Sequence, residues 1–544
     1  MELHRLRIIV GFFIVFALVF VGRLVYLQVF CHDALAAKAD AQEFHTVELE
    51  ESPRGRITDR NGISVTADTE TASLLIVPSL IGDVKKTTGI LENELGLSSE
   101  RLVSKIYGET EDIRREPFIA KTDLTAKEAE RMEQLSLGGV YVISRQGRYY
   151  RDFPMQHLLG ALGEDENSGE TAGLSGLERI YDDVLSAGSS GKISFLVDER
   201  SRMIDPGEYY LTEKETDPAG EVLLTVDLGI QRAAESALEG HSGAVVVLDS
   251  KNGDVLAMAS APKYDPYQVT DLLSSDAYVN KALSSYPPAS LFKIFISAVA
   301  VEENLAAPET MFFCDGAYRM ENGSTVSCWE EEGHGFLTFN DALSLSCNPV
   351  FVKMTLEIGK ERLNEAFSRW ELDEDRLLGY PLNELSSVEF SGGTDADLAN
   401  IGLGENGVKL TPLNVAKMIN VIAADGLMYT PRVVTEVLDR EGNTVKKFDE
   451  ALAVRVLSSS TAKTVTDMMA KTFEIGTAQK LHLESFHIAG KTGTSETGNV
   501  WIGGFFPYDD PQYTIVILVT GGHSGVGDGG PILKKLCAYL GNLP

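Results

Sequence analysis

Positive charge, cysteine and recognisable metal motifs are all scarce in this chain. Its 48 Lys and Arg stand against 80 Asp and Glu, a formal net charge of −32. No basic patch is available to meet phosphates, which argues against a nucleic-acid binder, and the acidity reads as solubility. Five cysteines in 544 residues make no disulfide scaffold and contain no paired Cys-x-x-Cys zinc pattern. There is no His-Glu-x-x-His. Gly522-His523-Ser524-Gly525 does not complete the Gly-x-Ser-x-Gly of a nucleophile elbow. What remains is an ordinary globular composition, 44% hydrophobic and 24% charged, with length for two or three domains.

The chain opens on a long apolar run. Ile8–Gly22 is apolar or small, Arg23 interrupts it and Leu24–Phe30 continues it. With Arg23 snorkelling, residues 8–30 are long enough to span a bilayer. Arg5 and Arg7 before the run predict residues 1–7 as a cytoplasmic tail and the bulk of the chain outside. A cleaved signal peptide at Ala34-Leu35-Ala36 fits less well, because the run is long for one and charges intervene. Lipidation at Cys31 would want small residues where Val29 and Phe30 stand, and buried helices rarely start at residue 8.

Residues 31–218 alternate short strand-like and helical stretches with no evident nucleophile, and read as a platform domain. Arg54-Gly55-Arg56-Ile57-Thr58-Asp59-Arg60-Asn61-Gly62 joins two strand-like runs through an Asn-Gly turn. Thr125-x-x-Glu128 has capping-box spacing, and Gly188-Ser189-Ser190-Gly191 reads as a loop. Composition shifts after Pro218-Ala219-Gly220, so residues 219–544 form a second domain. There Val222–Val226 reads as a strand and Leu228–Leu238 as a helix. Gly243–Asp249 and Asp254–Ala259 flank a hairpin at Lys251-Asn252-Gly253. Phe339–Phe351 reads as a helix breaking at Asn348-Pro349. Strands are expected at Phe486–Gly490, Val500–Phe506 and Tyr513–Thr520, then a closing helix at Pro531–Leu540. This order predicts an antiparallel sheet sandwiched between helices. Gly402-Leu403-Gly404-Glu405-Asn406-Gly407 matches G-x-G-x-x-G, but no clear strand precedes it and Thr411-Pro412 caps the next helix, so it reads as a loop.

Three short patterns carry chemistry. Ser-x-x-Lys occurs four times, ending at Lys192, Lys263, Lys293 and Lys463. Only Ser290-Leu291-Phe292-Lys293 combines a helix start, preset by Pro287-Pro288, with a lysine in apolar surroundings. Serine and lysine three apart share a helix face. A desolvated amine loses basicity and can serve the hydroxyl as general base. Ser346-Cys347-Asn348 offers a hydroxyl and a carboxamide on a tight turn, able to relay a proton and hold a substrate amide. Lys491-Thr492-Gly493-Thr494 directly follows an expected strand. There an extended peptide ending in a carboxylate can add to the sheet edge. Cys314 and Cys328 lie in a loop-rich region placed outside the membrane, where a disulfide between them is the first reading. A metal site adding His334 is the lesser alternative, its spacing being irregular. Cys347 is expected to point into the core.

In this order the three patterns resemble the penicillin-recognising serine acyltransferases. The likeness narrows to class B penicillin-binding proteins through Arg23-Leu24-x-x-Leu27-Gln28, Arg54-Gly55-x-Ile57-x-Asp59-Arg60-Asn61-Gly62 and Gly176-Leu177-Glu178. In the second domain it rests on Leu224-Thr225-x-Asp227-x-x-Ile230-Gln231, Ile401-Gly402-x-Gly404, Thr411-Pro412-Leu413, and Trp501 after Lys491-Thr492-Gly493-Thr494. Ala289 stands where that family usually has glycine, and Leu403 where glutamine is common.

The resemblance implies a multidomain α+β chain: one transmembrane helix, an elongated α/β dimerisation-domain-like platform, and a transpeptidase domain with a five-stranded antiparallel sheet between helices. It implies that Ser290 attacks the penultimate D-Ala carbonyl of a peptidoglycan stem peptide on lipid II-derived strands, with Lys293 as base. Ser346 would relay a proton to the departing D-Ala and Asn348 would hold the substrate amide. Lys491, Thr492 and Thr494 would bind the terminal carboxylate or its β-lactam mimic, with Gly493 and Trp501 also in the substrate site. The backbone N–H groups of Ser290 and Thr494 would form the oxyanion hole. No metal or organic cofactor is implied. A membrane glycosyltransferase partner is, of the elongation, division or sporulation type, since the platform shows no likeness to a glycan polymerase. The rival enzyme resolves the acyl-enzyme with water, as a carboxypeptidase or β-lactamase does. A rival of another class is a β-lactam sensor or an assembly scaffold.

Overall fold

The computed structural model describes residues 2–32, 45–51, 54–66, 70–107, 117–150, 152–164, 171–186, 191–197, 209–212, 219–267, 275–374, 376–382, 394–450, 452–481 and 483–543. The Gly188–Ser190 loop and Pro218 lie outside the described residues. Glu2–Val25 is α-helical and Tyr26–Phe30 continues it as a π-helical turn. Within residues 7–30 an 18-residue stretch has mean hydropathy 2.8, and none of that stretch is buried. A helix so apolar and so bare is long enough to cross a bilayer.

The chain divides into two compact units, but not at the single boundary near residue 218 that composition indicates. Residues 1–53, 68–147 and 188–217 form one; residues 54–67, 148–187 and 218–544 form the other. The first unit holds a three-stranded antiparallel sheet with Glu70–Ile76 between Phe118–Lys121 and Val140–Gln146. Its buried side chains, Leu74 and Ile76, pack with Leu91, Leu102, Ile106 and Met132 of three helices. Of those helices, Ala126–Leu135 starts at the expected capping box, with Thr125 and Glu128 each bonding the other's backbone N–H. A second sheet orders His45–Glu51, Gly191–Val197 and Tyr209–Thr212 antiparallel.

Two early segments join the second unit for a physical reason. Arg56–Thr58 adds as a parallel edge strand to Glu221–Leu224, and Val65 N–H donates to Ile57 O on its other side. Glu178, fully buried, accepts from Arg54 Nε at 3.0 Å and Arg148 Nε at 2.5 Å, and Arg54 also meets Asp182 at 2.6 Å. A carboxylate without water is tolerable only when so paired.

The second unit is built on five antiparallel strands: β1 (Gly243–Asp249), β2 (Val255–Ala261), β3 (Ala489–Thr494), β4 (Asn499–Phe506) and β5 (Tyr513–Thr520), in the order β2-β1-β5-β4-β3. The β1–β2 turn forms at the expected Asn-Gly, with Gly253 at φ +76°. Alternation sends Val245, Val247, Ile515 and Ile517 to one face, packed with Ile230, Ala234 and Leu238 of helix Leu228–Leu238 and Leu536 of helix Gly530–Leu540. Ala244, Val246, Val516 and Leu518 go to the other face, with Ile419, Phe292 and Phe295. Both faces are covered, which is why these strands read as continuous apolar runs.

Two expected elements start elsewhere. The helix over Phe339–Phe351 is two helices, Phe339–Ser344 and Asn348–Ile358, because Ser346 adopts φ +57°. Asn348-Pro349 begins the second rather than ending the first; proline lacks only an N–H that a first turn leaves unused. Lys491-Thr492-Gly493 lies inside β3 rather than after a strand, which begins at Ala489 because Glu484–Phe486 is a 3₁₀ turn.

Candidate active site

Ser290 stands in the 3₁₀ turn Ala289–Leu291, which leads into helix Phe292–Glu302. The turn is held from several sides. Ala289 N–H donates to Gly404 O at 2.8 Å, and a Cβ on Gly404 would lie 2.0 Å from the Ala289 carbonyl. The G-x-G loop is therefore a backbone clamp on the turn that carries the serine, with no dinucleotide role. Ala289 itself sits at φ +47°, a conformation glycine adopts without cost, so the departure from the family's usual glycine is absorbed as local strain. On the sheet side, a Cβ on Gly493 would lie 3.1 Å from the Ser290 nitrogen; β3 runs directly past the serine amide.

Lys293 is fully buried. Its Nζ donates to Asn348 Oδ1 at 2.7 Å, Ser346 O at 3.1 Å and Ser346 Oγ at 3.2 Å, and lies 5.4 Å from the Phe351 ring centroid. Ser346 Oγ in turn donates to Ser290 Oγ at 3.0 Å. The expectation that Lys293 reaches Ser290 directly is thus modified: among the described residues the two are linked through Ser346. Burial pushes the Lys293 ammonium down to about 8, against smaller opposing pulls from Cys347, Cys328 and Glu405. An amine so tuned keeps about a tenth of its population neutral one unit below that value, which is the form a general base needs.

Lys491 is also fully buried and donates to Thr492 O at 3.0 Å. Burial first, and then the charge of Lys293, hold its ammonium well below the usual lysine range. An incoming anion would offset both the burial and the repulsion, and so favours the charged form of Lys491. The Thr492 hydroxyl pairs with that of Thr477 at 2.9 Å, and Thr494 ends β3 with its side chain exposed. Trp501 differs from expectation. It is completely buried opposite Gly493 on β4, and its Nε1–H donates to Pro287 O at 2.9 Å. It holds the Pro287-Pro288 approach against the sheet.

Sequence reasoning missed Thr477 and Glu405. Glu405 follows the clamp glycine, half-buried, and accepts from Glu496 N–H at 3.4 Å. Burial raises its carboxyl to about 7. Neither residue belongs to a pattern that marks it in the sequence.

The expected Cys314/Cys328 disulfide is absent: both thiols are free. Instead Cys314, Cys328, Cys347 and His334 converge, one ligand-type atom from each lying within 4.8 Å of all the others. Spacing hid this because the four residues come from a strand end, two loops and the turn between two helices.

A serine hydroxyl, a serine relay, a buried low-basicity lysine and a dry cationic strand edge together define a serine acyltransferase. Residues 243–538 match the penicillin-binding protein transpeptidase domain and residues 49–217 the penicillin-binding protein dimerisation domain. The chain belongs to the penicillin-binding protein family and carries its serine D,D-transpeptidase domain. Similar proteins include stage V sporulation protein D of Bacillus subtilis, 28% identical over 99% of this chain and 84% of the relative. Peptidoglycan D,D-transpeptidase PbpA of Mycolicibacterium smegmatis is 30% identical over 72% and 84%. Peptidoglycan D,D-transpeptidase MrdA of Escherichia coli K12 is 25% identical over 90% and 86%. The fold is shared with a D,D-transpeptidase domain from Eggerthella lenta (TM-score 0.62, 23% identity, 90% of this chain and 100% of that one). It is shared equally with a chain of a peptidoglycan synthase complex (TM-score 0.65, 23% identity, 99% of each).

Proposed function

We propose that the chain cross-links peptidoglycan stem peptides ending in D-Ala-D-Ala through an acyl-enzyme at Ser290. The observation that carries this is the hydrogen-bonded line Ser290–Ser346–Lys293–Asn348 lying beside Gly493 of an edge strand. The stem peptide adds to the open edge of β3, its terminal carboxylate drawn by Lys491, Thr492 and Thr494. Neutral Lys293 takes the Ser290 proton through Ser346, whose hydroxyl turns to accept from one and donate to the other. The Ser290 oxygen bonds to the penultimate D-Ala carbonyl, and the oxyanion is held by the N–H groups of Ser290 and Thr494. Ser346 passes the proton to the departing D-Ala nitrogen as the amide bond breaks. An amine from a neighbouring stem then attacks the ester, frees Ser290 and leaves a cross-link. A β-lactam enters the same path and stops at the ester.

Residues 8–30 anchor the protein with residues 1–7 in the cytoplasm and the catalytic unit outside, and protease applied to intact cells checks that orientation. The lipid-exposed anchor and the likeness to a chain of a synthase complex support a membrane glycosyltransferase as partner; co-purification from detergent is its test. The enzyme itself is tested with a fluorescent penicillin on the full-length protein, following adduct by intact mass. A persistent adduct on wild type, absent from Ser290→Ala, is expected. Rapid drug turnover without adduct would indicate a hydrolase, and undiminished labelling of Ser290→Ala would place the nucleophile elsewhere.

A further inference from the structure

An apolar surface next to the catalytic turn takes no part in the acyl-transfer steps. Strands Met311–Cys314 and Gly335–Thr338 pair antiparallel, with Phe313 opposite Phe336. Alternation turns Phe312 and Leu337 inward and leaves Met311, Phe313 and Phe336 facing out, 59%, 62% and 79% exposed. The two phenyl rings meet at 5.0 Å between centroids. Trp329, itself 56% exposed, links this pair to the active site. Its Nε1–H donates to Leu345 O at 2.8 Å, one residue before Ser346. Its ring centroid stands 5.3 Å from that of His334, two residues before Phe336. Large rings gathered in water mark an interaction surface, unlike the scattered apolar exposure that every protein has.

We propose that Trp329, Phe313 and Phe336 are a stacking platform for the sugar backbone of the peptidoglycan strand, an uncharged chain of N-acetylated hexoses. The choice of strand rests on the acyl-enzyme reading; the capacity to hold such sugars does not. A five-residue stem peptide spans at most about 17 Å when extended, so the sugar that bears it must lie close to Ser290. Trp329 meets that condition. One hydrogen bond takes its indole to Leu345 O, one peptide unit leads on to Ser346, and a second hydrogen bond reaches Ser290 Oγ. Phe336 and Phe313 continue the surface beyond the reacting groups, as a polymer longer than its reacting unit requires.

Charge and side-chain chemistry select the same occupant. Asp315 follows strand Met311–Cys314, and Glu330, Glu331 and Glu332 follow Trp329 directly. Carboxylates accept hydrogen bonds from sugar hydroxyls and acetamido N–H groups without needing a counter-charge. The same acids repel nucleic acid, an anionic lipid surface and a second copy of a chain whose net charge is −32. A pyranose ring offers flat C–H faces to an aromatic ring, and aromatic side chains lose little rotamer entropy on binding. Here the cross-strand ring pair and the Trp329 hydrogen bond hold the rings in advance of the ligand.

The test titrates chitohexaose, an uncharged oligomer of N-acetylglucosamine, into full-length protein held in a detergent without a sugar headgroup. Trp329 reports binding directly. The other two tryptophans, Trp370 and Trp501, are fully buried, so acrylamide quenches one indole per chain. Saturable protection of that indole is expected. Phe313→Ser combined with Phe336→Ser should weaken the binding about tenfold or more, the loss of two stacking rings. Both side chains already face solvent, so the double variant should stay folded, as circular dichroism checks. Ser290→Ala should protect Trp329 as wild type does while forming no penicillin adduct, which separates a failed nucleophile from a failed platform. Absence of saturable protection in wild type would overturn the proposal. So would chitohexaose binding that the double variant leaves unchanged. A co-purifying protein lost in the double variant, with no sugar bound by wild type, would make this surface a protein interface and overturn the sugar reading.

Discussion

Lys293 concentrates the problem this active site solves: a lysine is a poor base until water is taken from it. Full burial brings it to about 8, and the Asn348 and Ser346 oxygens then aim what remains of its charge. Acylation needs the neutral amine. Below about pH 8 its second-order rate constant should therefore rise close to tenfold per unit, and then level. Stopped-flow labelling across pH 6 to about 9.5 measures this limb, and a flat profile would remove Lys293 as base. Glu405 supplies an internal control of sign. Its carboxylate favours the charged lysine, so Glu405→Gln should move the limb to lower pH. The site also holds two non-glycine residues at positive φ, Ala289 at +47° and Ser346 at +57°, one on each side of the reacting oxygen. Such strain persists only where surroundings over-determine it; here the Gly404 clamp holds Ala289, and Lys293 on Ser346 O with Cys347 N–H on Ala342 O holds Ser346.

At the scale of elements, β3 and β4 act as the frame on which the serine turn hangs. Gly493 leaves room for the Ser290 amide, and its cross-strand neighbour Trp501 ties the Pro287 carbonyl to the sheet. Trp501→Phe keeps an aromatic ring but leaves that carbonyl without its donor. The expected loss is about 1–3 kcal/mol in thermal unfolding, together with slower acylation whose pH limb stays in place. Full acylation rates in a destabilised variant would mean that the tie serves stability alone. The groups proposed to react, Ser290, Lys293, Ser346, Asn348 and Lys491, could be singled out because each sits in a short local pattern. Trp501 was visible as a residue, but its bond to Pro287 O was not, since sequence does not tell which face of β4 it takes. The start of β3 at Ala489 and the left-handed Ser346 were misplaced for a related reason. Both are set by a 3₁₀ turn and a backbone strain that leave no compositional mark.

The molecule as a whole was legible in its order of parts and less so in where its units divide. Composition puts one boundary near 218, yet residues 54–67 and 148–187 fold with the catalytic unit. What recruits them is pairing between residues far apart in sequence, Arg56–Thr58 with Glu221–Leu223 and Tyr181 with Gly379 O, while Arg54 and Arg148 with Glu178 tie the two segments to each other; no window along the chain can reveal this. This pairing makes a strong prediction. Glu178 is fully buried between two guanidinium groups, and Arg148 also donates to Gly55 O at 2.6 Å. Arg54 Nη1 and Arg148 Nη2 already lack hydrogen-bond partners among the described residues, so the cluster has few acceptors to spare. Glu178→Ala leaves Arg148 without a carboxylate and Arg54 with Asp182 alone, and should cost about 3–5 kcal/mol in thermal unfolding, as breaking a buried ion pair does. Glu178→Gln, which keeps one acceptor oxygen, should cost less. Because the cluster touches none of the reacting groups, the fraction of either variant that remains folded should acylate at the wild-type rate. A loss below 1 kcal/mol for the alanine variant would mean that the parallel strand Arg56–Thr58 holds these segments without help from the ion pairs.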